Sequence, residues 1–271
     1  MSSLLERRLS TRREAGELAF LPFLVVGDPG PDRFLEAANV LVEAGADALE
    51  LGFPYTDPSA DGPVIQAADE RALAAGMTTD GCFEVVRRFR EQNDVPVSLL
   101  VYFNLVLQAG LERFYEKARD SGIDAVLIAD LPLELAGPAF AAARAAGVAP
   151  VALASAVTTR ERAVRLAEVG EGYVYAAARV GVTGARDDAP QDSLSELVTR
   201  LRGARVTLPV LAGFGLSTPQ HVEAVRAAGA DGAIVGSALV RAVAEADGFE
   251  SGLERLGALA AELARAAHTP P

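Results

Sequence analysis

Eight short apolar segments alternate with amphipathic helical stretches along the 271-residue chain, and this alternation predicts an α/β fold of the (β/α)8 TIM barrel type. Three observations select the barrel. The segments are continuous apolar runs, as parallel strands buried on both faces require. Five of them follow one punctuation, a helix-ending glycine and then a strand, at Ala44-Gly45, Ser121-Gly122, Ala146-Gly147, Val169-Gly170 and Ala228-Gly229. No Ser/Gly/Pro-rich linker interrupts the series, so one closed domain over residues 1–271 is expected, not an open doubly wound sheet.

In chain order, Ser2 to Arg13 reads as an extra helix ahead of the barrel. The first strand is placed at residues 19–27, and helical spacing from Arg33 to Glu43 supplies the first crossover. Gly45 then admits strand two, 48–53. Strand three, 96–103, and the helix Leu111 to Arg119 lead through Gly122 to strand four, 125–130. Gly147 precedes strand five, 149–154, and the helix Arg160 to Glu168 with Gly170 precedes strand six, 173–178. Strand seven, 208–213, the helix Gln220 to Ala227 and Gly229 bring in strand eight, 232–236. Gly252 to Ala267 reads as a closing extra helix.

Half of the residues are hydrophobic, so a sizeable core is expected. A formal charge of -12 and a pI near 4.7 argue against nucleic acid or an anionic membrane as partner, while a small anionic substrate stays open. The first residues lack the apolar core of a signal peptide, and no apolar run reaches bilayer-spanning length, which makes the cytoplasm the expected compartment. The single cysteine, Cys82, lies in a helical pattern and reads as core. The two histidines, His221 after Thr218-Pro219 and His268 in the C-terminal tail, form no metal-ligand spacing. Lys117, the only lysine, reads as a solvated face residue and not as an imine former. Any chemistry therefore falls to carboxylates, hydroxyls and backbone dipoles, with no metal.

The stretch Glu50 to Gln66, Glu-Leu-Gly-Phe-Pro-Tyr-Thr-Asp-Pro-Ser-Ala-Asp-Gly-Pro-Val-Ile-Gln, sets one carboxylate in an apolar strand and two more on the following loop. A buried Glu loses much of its hydration unless it is paired or its pKa rises, and a carboxyl tuned that way exchanges protons near neutrality. A structural Glu is the alternative; Asp61 within Ala-Asp-Gly-Pro favours the chemical reading. Both residues fall where such barrels keep their reactive groups, at the C-terminal strand ends and loops. Tyr175 on strand six alternates with Tyr173 and Ala177 and has a supporting role or a packing one. Glycines that bring backbone amides to an anion occur at Gly213-Phe214-Gly215 and Gly236-Ser237. The Gly-rich stretch Gly181 to Arg186, with Thr183 and Gly184, suits a lid.

These residues closely resemble one family, the tryptophan synthase alpha subunit. The resemblance runs through Phe20-Leu-Pro-Phe23, Gly27-Asp28-Pro29, Glu50 to Gln66, Tyr102-Phe-Asn104, Ala129-Asp130-Leu-Pro132, Gly181-Val-Thr-Gly184, Gly213-Phe-Gly215 and Gly236-Ser237. It implies a lyase of tryptophan biosynthesis that reversibly cleaves indole-3-glycerol phosphate to indole and glyceraldehyde 3-phosphate. It also implies a heterotetramer with a beta subunit that holds pyridoxal phosphate and receives indole through a tunnel, this chain needing no cofactor. Carried over by position, Glu50 and Asp61 are the acid-base carboxylates, with Tyr175 beside them. Phe23, Leu100, Tyr102, Leu127, Leu153, Tyr175 and Phe214 line the indole pocket. Gly184, Gly213, Gly215, Gly236 and Ser237 take the phosphate, and Thr183 is the lid residue that bonds the loop aspartate. Pro54, Asp57, Pro58 and Tyr102-Phe103-Asn104 match surfaces that meet the beta subunit.

The reaction agrees with the scarcities, because protonating indole C3 creates an electron sink without lysine or metal. Two departures from the family pattern stand out, Ala178 before Arg179-Val180-Gly181 and the segment Ala154 to Thr159. They leave open a stand-alone lyase that releases free indole; a weakly active barrel that activates a beta-type protein is a separate alternative, against which the intact Glu50 and Asp61 argue.

Overall fold

The computed structural model describes residues 3–177, 191–213 and 215–270. Its strands are β1 (Ala19–Val25), β2 (Leu49–Gly52), β3 (Val97–Val101), β4 (Ala125–Ile128), β5 (Ala149–Pro150), β6 (Ala152–Ser155), β7 (Val174–Ala177), β8 (Val210–Gly213) and β9 (Gly232–Val235). They pair in parallel in the order β5-β4-β3-β2-β1-β9-β8-β7-β6. The two ends of that order are consecutive in the chain, with only Val151 between them. Val151 donates its N–H to Val126 at 2.9 Å and Pro150 accepts the N–H of Glu171 at 2.8 Å, so the ladder runs through this point and the sheet closes into a barrel. β5 and β6 are two halves of the fifth strand expected from sequence. The break falls beside Pro150, which has no N–H to give to a ladder.

The helices are α1 (Leu4–Glu14), α2 (Pro31–Glu43), α3 (Pro63–Ala74), α4 (Thr79–Arg90), α5 (Phe103–Ala109), α6 (Leu111–Asp120), α7 (Gly137–Ala146), α8 (Arg160–Val169), α9 (Gln191–Gly203), α10 (Pro219–Ala227), α11 (Ser237–Ala244) and α12 (Phe249–His268), with a 3-10 turn at Leu133–Leu135. Their starts are chemically marked. Ser3 and Glu6 form a capping box, and the Thr78, Thr159 and Thr218 hydroxyls accept first-turn amides. Four of the five punctuating glycines, Gly45, Gly122, Gly147 and Gly229, are left-handed, with φ between 78° and 103°. Gly170 is not. It is extended at φ -79°, with the left-handed turn two residues later at Gly172, and a Cβ on Gly170 would meet the Ala152 Cβ at 2.8 Å.

Two apolar layers result. One lies between the strands and the surrounding helices, and Cys82 is buried in it. The other fills the barrel with inward residues such as Leu21, Leu127, Val151, Tyr173, Tyr175, Leu211 and Ile234. Leu5 and Leu9 of α1 join this inner group beside Ala19, Ala48, Ala125 and Ala149, so the N-terminal helix plugs the lower end of the barrel where the strands carry small side chains.

A repeated aspartate seals the same end. Asp47, Asp124 and Asp231, each just ahead of a strand, accept an amide at the start of the neighbouring strand, from Phe20, Val97 and Val210 at 2.9, 2.9 and 2.6 Å. Asp47 also receives Arg12 at 2.6 Å and His268 at 2.8 Å. His268 is therefore the last residue of α12, tied to the barrel, and not part of a tail. Burial alone would raise the Asp47 pKa, but His268, the Phe20 amide and Arg12 together outweigh it and hold the carboxyl below its usual value. A depressed carboxyl contributes stability that is present above its unfolded pKa and lost as pH falls through the folded one. Asp47→Asn is expected to cost about 3 kcal/mol near neutral pH. Urea unfolding should show the gap between the two proteins narrowing as pH drops below about 4.

Candidate active site

Glu50 sits in the middle of β2, in register with Phe23 of β1 and Ser98 of β3, and points into the barrel at 1% exposure. Tyr173, just before β7 on the opposite side of the closed sheet, donates its hydroxyl to Glu50 Oε1 at 3.2 Å. The same hydroxyl lies 2.8 Å from Ser98 Oγ. Burial pushes Glu50 up to about 8, the Tyr173 bond pulls the other way, and the Asp61 charge adds to the rise. Glu50 is thus an uncharged acid at neutral pH, placed to give up a proton.

Asp61 lies on the loop between β2 and α3, half-buried. The Tyr102 hydroxyl, at the end of β3, donates to Asp61 Oδ2 at 2.6 Å and accepts the Ala60 N–H at 3.0 Å. Gln66 holds the Asp61 carbonyl at 2.8 Å. Burial raises the Asp61 pKa and the Tyr102 bond opposes it. Tyr102 in turn stacks on Tyr55, with ring centres 5.0 Å apart and planes 23° from parallel.

The expected glycines take their places on the same rim. Gly213 ends β8, Gly215 is left-handed at φ 77°, Gly236 precedes α11 and Ser237 begins it. Two of them also serve aromatic neighbours. A Cβ on Gly213 would lie 2.0 Å from the Tyr175 hydroxyl, and one on Gly236 would touch the Phe23 ring at 3.2 Å. Gly52 likewise leaves room for Phe23, at 2.6 Å. Phe23, Tyr102, Leu127 and Tyr175 are buried, and Leu100 and Leu153 pack partly buried against the inner group. Phe214, Thr183 and Gly184 lie outside the described residues, as does Ala178.

Residues 9–268 match the family model described as Tryptophan synthase alpha chain. The chain belongs to the tryptophan synthase alpha chain family. The alpha chain of Methanothermobacter thermautotrophicus is 47% identical over 228 residues, covering 84% of each chain. That of Shewanella oneidensis is 44% identical over 243 residues, covering 89% of this chain and 87% of the relative. A chain of the Mycobacterium tuberculosis tryptophan synthase structure superposes with a TM-score of 0.89 at 32% identity, covering 99% of this chain and 100% of that one. A Pyrococcus furiosus structure, described as the tryptophan synthase a2b2 complex and its mutual activation, gives 0.82 at 36% identity, covering 92% and 97%.

Within this family frame the tertiary structure adds residues that sequence reasoning passed over. Tyr173 makes a hydrogen bond to Glu50, and Ser98 completes the contact. A register argument contained the clue, since Tyr173 and Tyr175 share one strand face. Tyr102, expected as pocket lining and at the partner surface, also holds Asp61. Pro54 and Tyr102, expected at a partner surface, are buried, while Asp57 and Asn104 are exposed. The departing segment Ala154 to Thr159 forms a locked turn: the Thr158 hydroxyl accepts the Ser155 N–H at 2.9 Å, and Arg200 bonds the Ala156 and Thr158 carbonyls at 3.0 and 2.8 Å. Gly213→Ala should cost roughly 1 to 3 kcal/mol by overpacking against Tyr175. In a Tyr175→Leu background the same change should cost much less, and a double-mutant cycle in urea measures that coupling.

Proposed function

We propose that this chain cleaves indole-3-glycerol phosphate to indole and glyceraldehyde 3-phosphate at the C-terminal mouth of its barrel, with Glu50 and Asp61 as the working groups. The observation that carries the reading is Glu50 itself, a buried acid held up to about 8 inside an apolar barrel. Its carboxylic acid protonates indole C3, and the ring becomes an indoleninium that can accept an electron pair. The resulting carboxylate takes the proton of the glycerol hydroxyl. As that hydroxyl becomes the aldehyde of glyceraldehyde 3-phosphate, the carbon–carbon bond breaks and its electrons restore the indole ring. Asp61, aimed by Tyr102, stabilises the positive charge at the ring N–H. Tyr175 stands beside both groups, as its strongly raised pKa through burial, Glu50, Tyr173 and Asp61 indicates.

Phe23, Leu100, Tyr102, Leu127, Leu153, Tyr175 and Phe214 supply the apolar walls for the ring. The amides at Gly184, Gly213, Gly215, Gly236 and Ser237 take the phosphate, assisted by the positive end of α11, and Thr183 closes the lid. The described residues contain no group of three or more His, Cys, Asp or Glu arranged to hold a metal, and no described helix is long and apolar enough to cross a membrane. Pyridoxal phosphate belongs to the partner in this reading.

The partner is a tryptophan synthase beta subunit. Supporting it, three of the four large apolar side chains exposed among the described residues, Leu107 on α5, Leu135 on the 3-10 turn and Val157 after β6, follow C-terminal strand ends and share the rim with Asp57 and Asn104. Covering that rim favours the closed, competent state.

Glu50→Gln keeps the shape and removes the proton, so kcat is expected to fall by about 10² to 10⁴-fold with little change in binding of a phosphate-bearing analogue. Because the acid form does the first step, wild-type kcat should decline as pH rises through about 8. Rate measurements on both proteins with indole-3-glycerol phosphate check this, and near-wild-type activity in the variant rejects the assignment. Titrating a beta subunit while indole release is followed should give a large saturable rise. Fast turnover with no response would identify a stand-alone lyase; a rise confined to the beta reaction would identify an activator.

A further inference from the structure

Three of the four buried residues of α3 are apolar, Ile65, Ala68 and Ala72; the fourth is Asp69, at 4% exposure. A carboxyl there is costly unless its contacts are used. The backbone N–H of Tyr55, on the loop that carries Asp61, faces the Asp69 carboxyl closely enough to pull its pKa down. The Tyr55 ring stacks on Tyr102 at 5.0 Å, and the Tyr102 hydroxyl donates to Asp61 at 2.6 Å. A continuous set of contacts thus runs from a rigid helix, through the loop, to the carboxylate.

We infer that Asp69 is a positioning residue for Asp61: it pins the Tyr55 amide and so fixes the stacked tyrosine pair whose hydroxyl aims the Asp61 carboxylate. The inference rests on the role given to Asp61 above. The charges acting on Asp69 come from several sides. Asp61 faces it from the loop after β2, Asp28 from the loop after β1, and Glu70 from its own helix; the Tyr102 phenol also feels its charge. Asp28 is itself held by a two-pronged bond from Arg71, both distances 2.7 Å. On α11, which packs against α3, Arg241 turns to Glu245 of its own helix at 3.6 Å. Burial first, then Asp61 and Asp28, push Asp69 up to about 8, against the pull of the Tyr55 amide. At neutral pH the pin is therefore an uncharged acid, and its ionisation at higher pH sets a second negative charge beside Asp61.

Two variants separate this from a packing role. Asp69→Asn keeps a carbonyl oxygen for the Tyr55 N–H and stays neutral at every pH; Asp69→Leu removes the acceptor at similar volume. With indole-3-glycerol phosphate and saturating beta subunit, Asp69→Leu is expected to lower kcat by about 10- to 100-fold with KM changed less than about threefold, the signature of a misplaced group that acts in the transition state. Asp69→Asn should hold kcat within about threefold at pH 7 and keep it further above pH 8 than the wild type. In the ligand-free chain, the Tyr55 amide resonance should titrate with a midpoint near pH 8 and stop doing so in Asp69→Asn. Wild-type kcat in the Leu variant overturns the inference, as does a Tyr55 amide indifferent to pH. Equal losses of kcat and Tm in both variants, which mark a purely structural residue, overturn it as well. If the wild type releases no indole while the Tyr55 titration runs as described, the catalytic reading of Asp61 falls and the pin from Asp69 to Tyr55 stands.

Discussion

The hydrogen bond from Tyr173 to Glu50 spans the inside of a closed sheet, and much of the surrounding architecture exists to keep that acid dry, uncharged and correctly aimed. The carboxyl comes from β2 and the phenol from the start of β7, with Ser98 of β3 beside it, so the contact exists only if the barrel closes. Closure depends on the short passage through Val151, where the ladder continues past a proline. An acid whose folded-state pKa stands above its unfolded value costs stability as pH rises through that interval. At Glu50 this cost builds up between about pH 4.5 and 8 and stays at its full size above that. The role proposed for Glu50 therefore works against stability at the centre of the fold.

At the opposite end of the barrel Asp47 works for stability. Asp47, Asp124 and Asp231 repeat one device, a carboxylate that caps the neighbouring strand, and at Asp47 and Asp231 arginines complete it. These acids occupy the same kind of sequence position, two residues after a turn glycine, and Asp47 differs sharply from Glu50 in its surroundings. Asp47 is held low by cationic and amide partners, whereas Glu50 has a phenol and another acid nearby. The two ends thus use one functional group for opposite purposes, and the difference lies in which partners the strands bring to it.

On the rim proposed as the active site, the loop after β2 is organised from below by α3 and from the side by β3. Asp69, Tyr55 and Tyr102 form its internal support, while Gly52, Gly213 and Gly236 leave space for Phe23 and Tyr175. A glycine read as an amide donor toward phosphate is also a vacancy that an aromatic ring fills. The two requirements are compatible because the absent Cβ and the backbone N–H point in different directions.

How much of this was legible in the sequence follows from the range of each interaction. The alternation of apolar strands with amphipathic helices, the left-handed glycines at Gly45, Gly122, Gly147 and Gly229, and the acid embedded in Leu49-Glu50-Leu51 depend on neighbours a few residues away, so the barrel and its principal carboxyl were readable directly. Asp61 was readable from its own loop string. The bond from Tyr173, 123 positions from Glu50, was not. Nor were the place of His268 against Asp47, 221 residues apart, and the split of the fifth strand. Sequence by itself determined the elements, their order and the acids available for chemistry, because helix periodicity, strand apolarity and turn stereochemistry are local. Only the tertiary structure decided which hydroxyl meets Glu50, which tyrosine aims Asp61 and which acids are raised or lowered, because closing the barrel sets the distances and burial on which those energies depend.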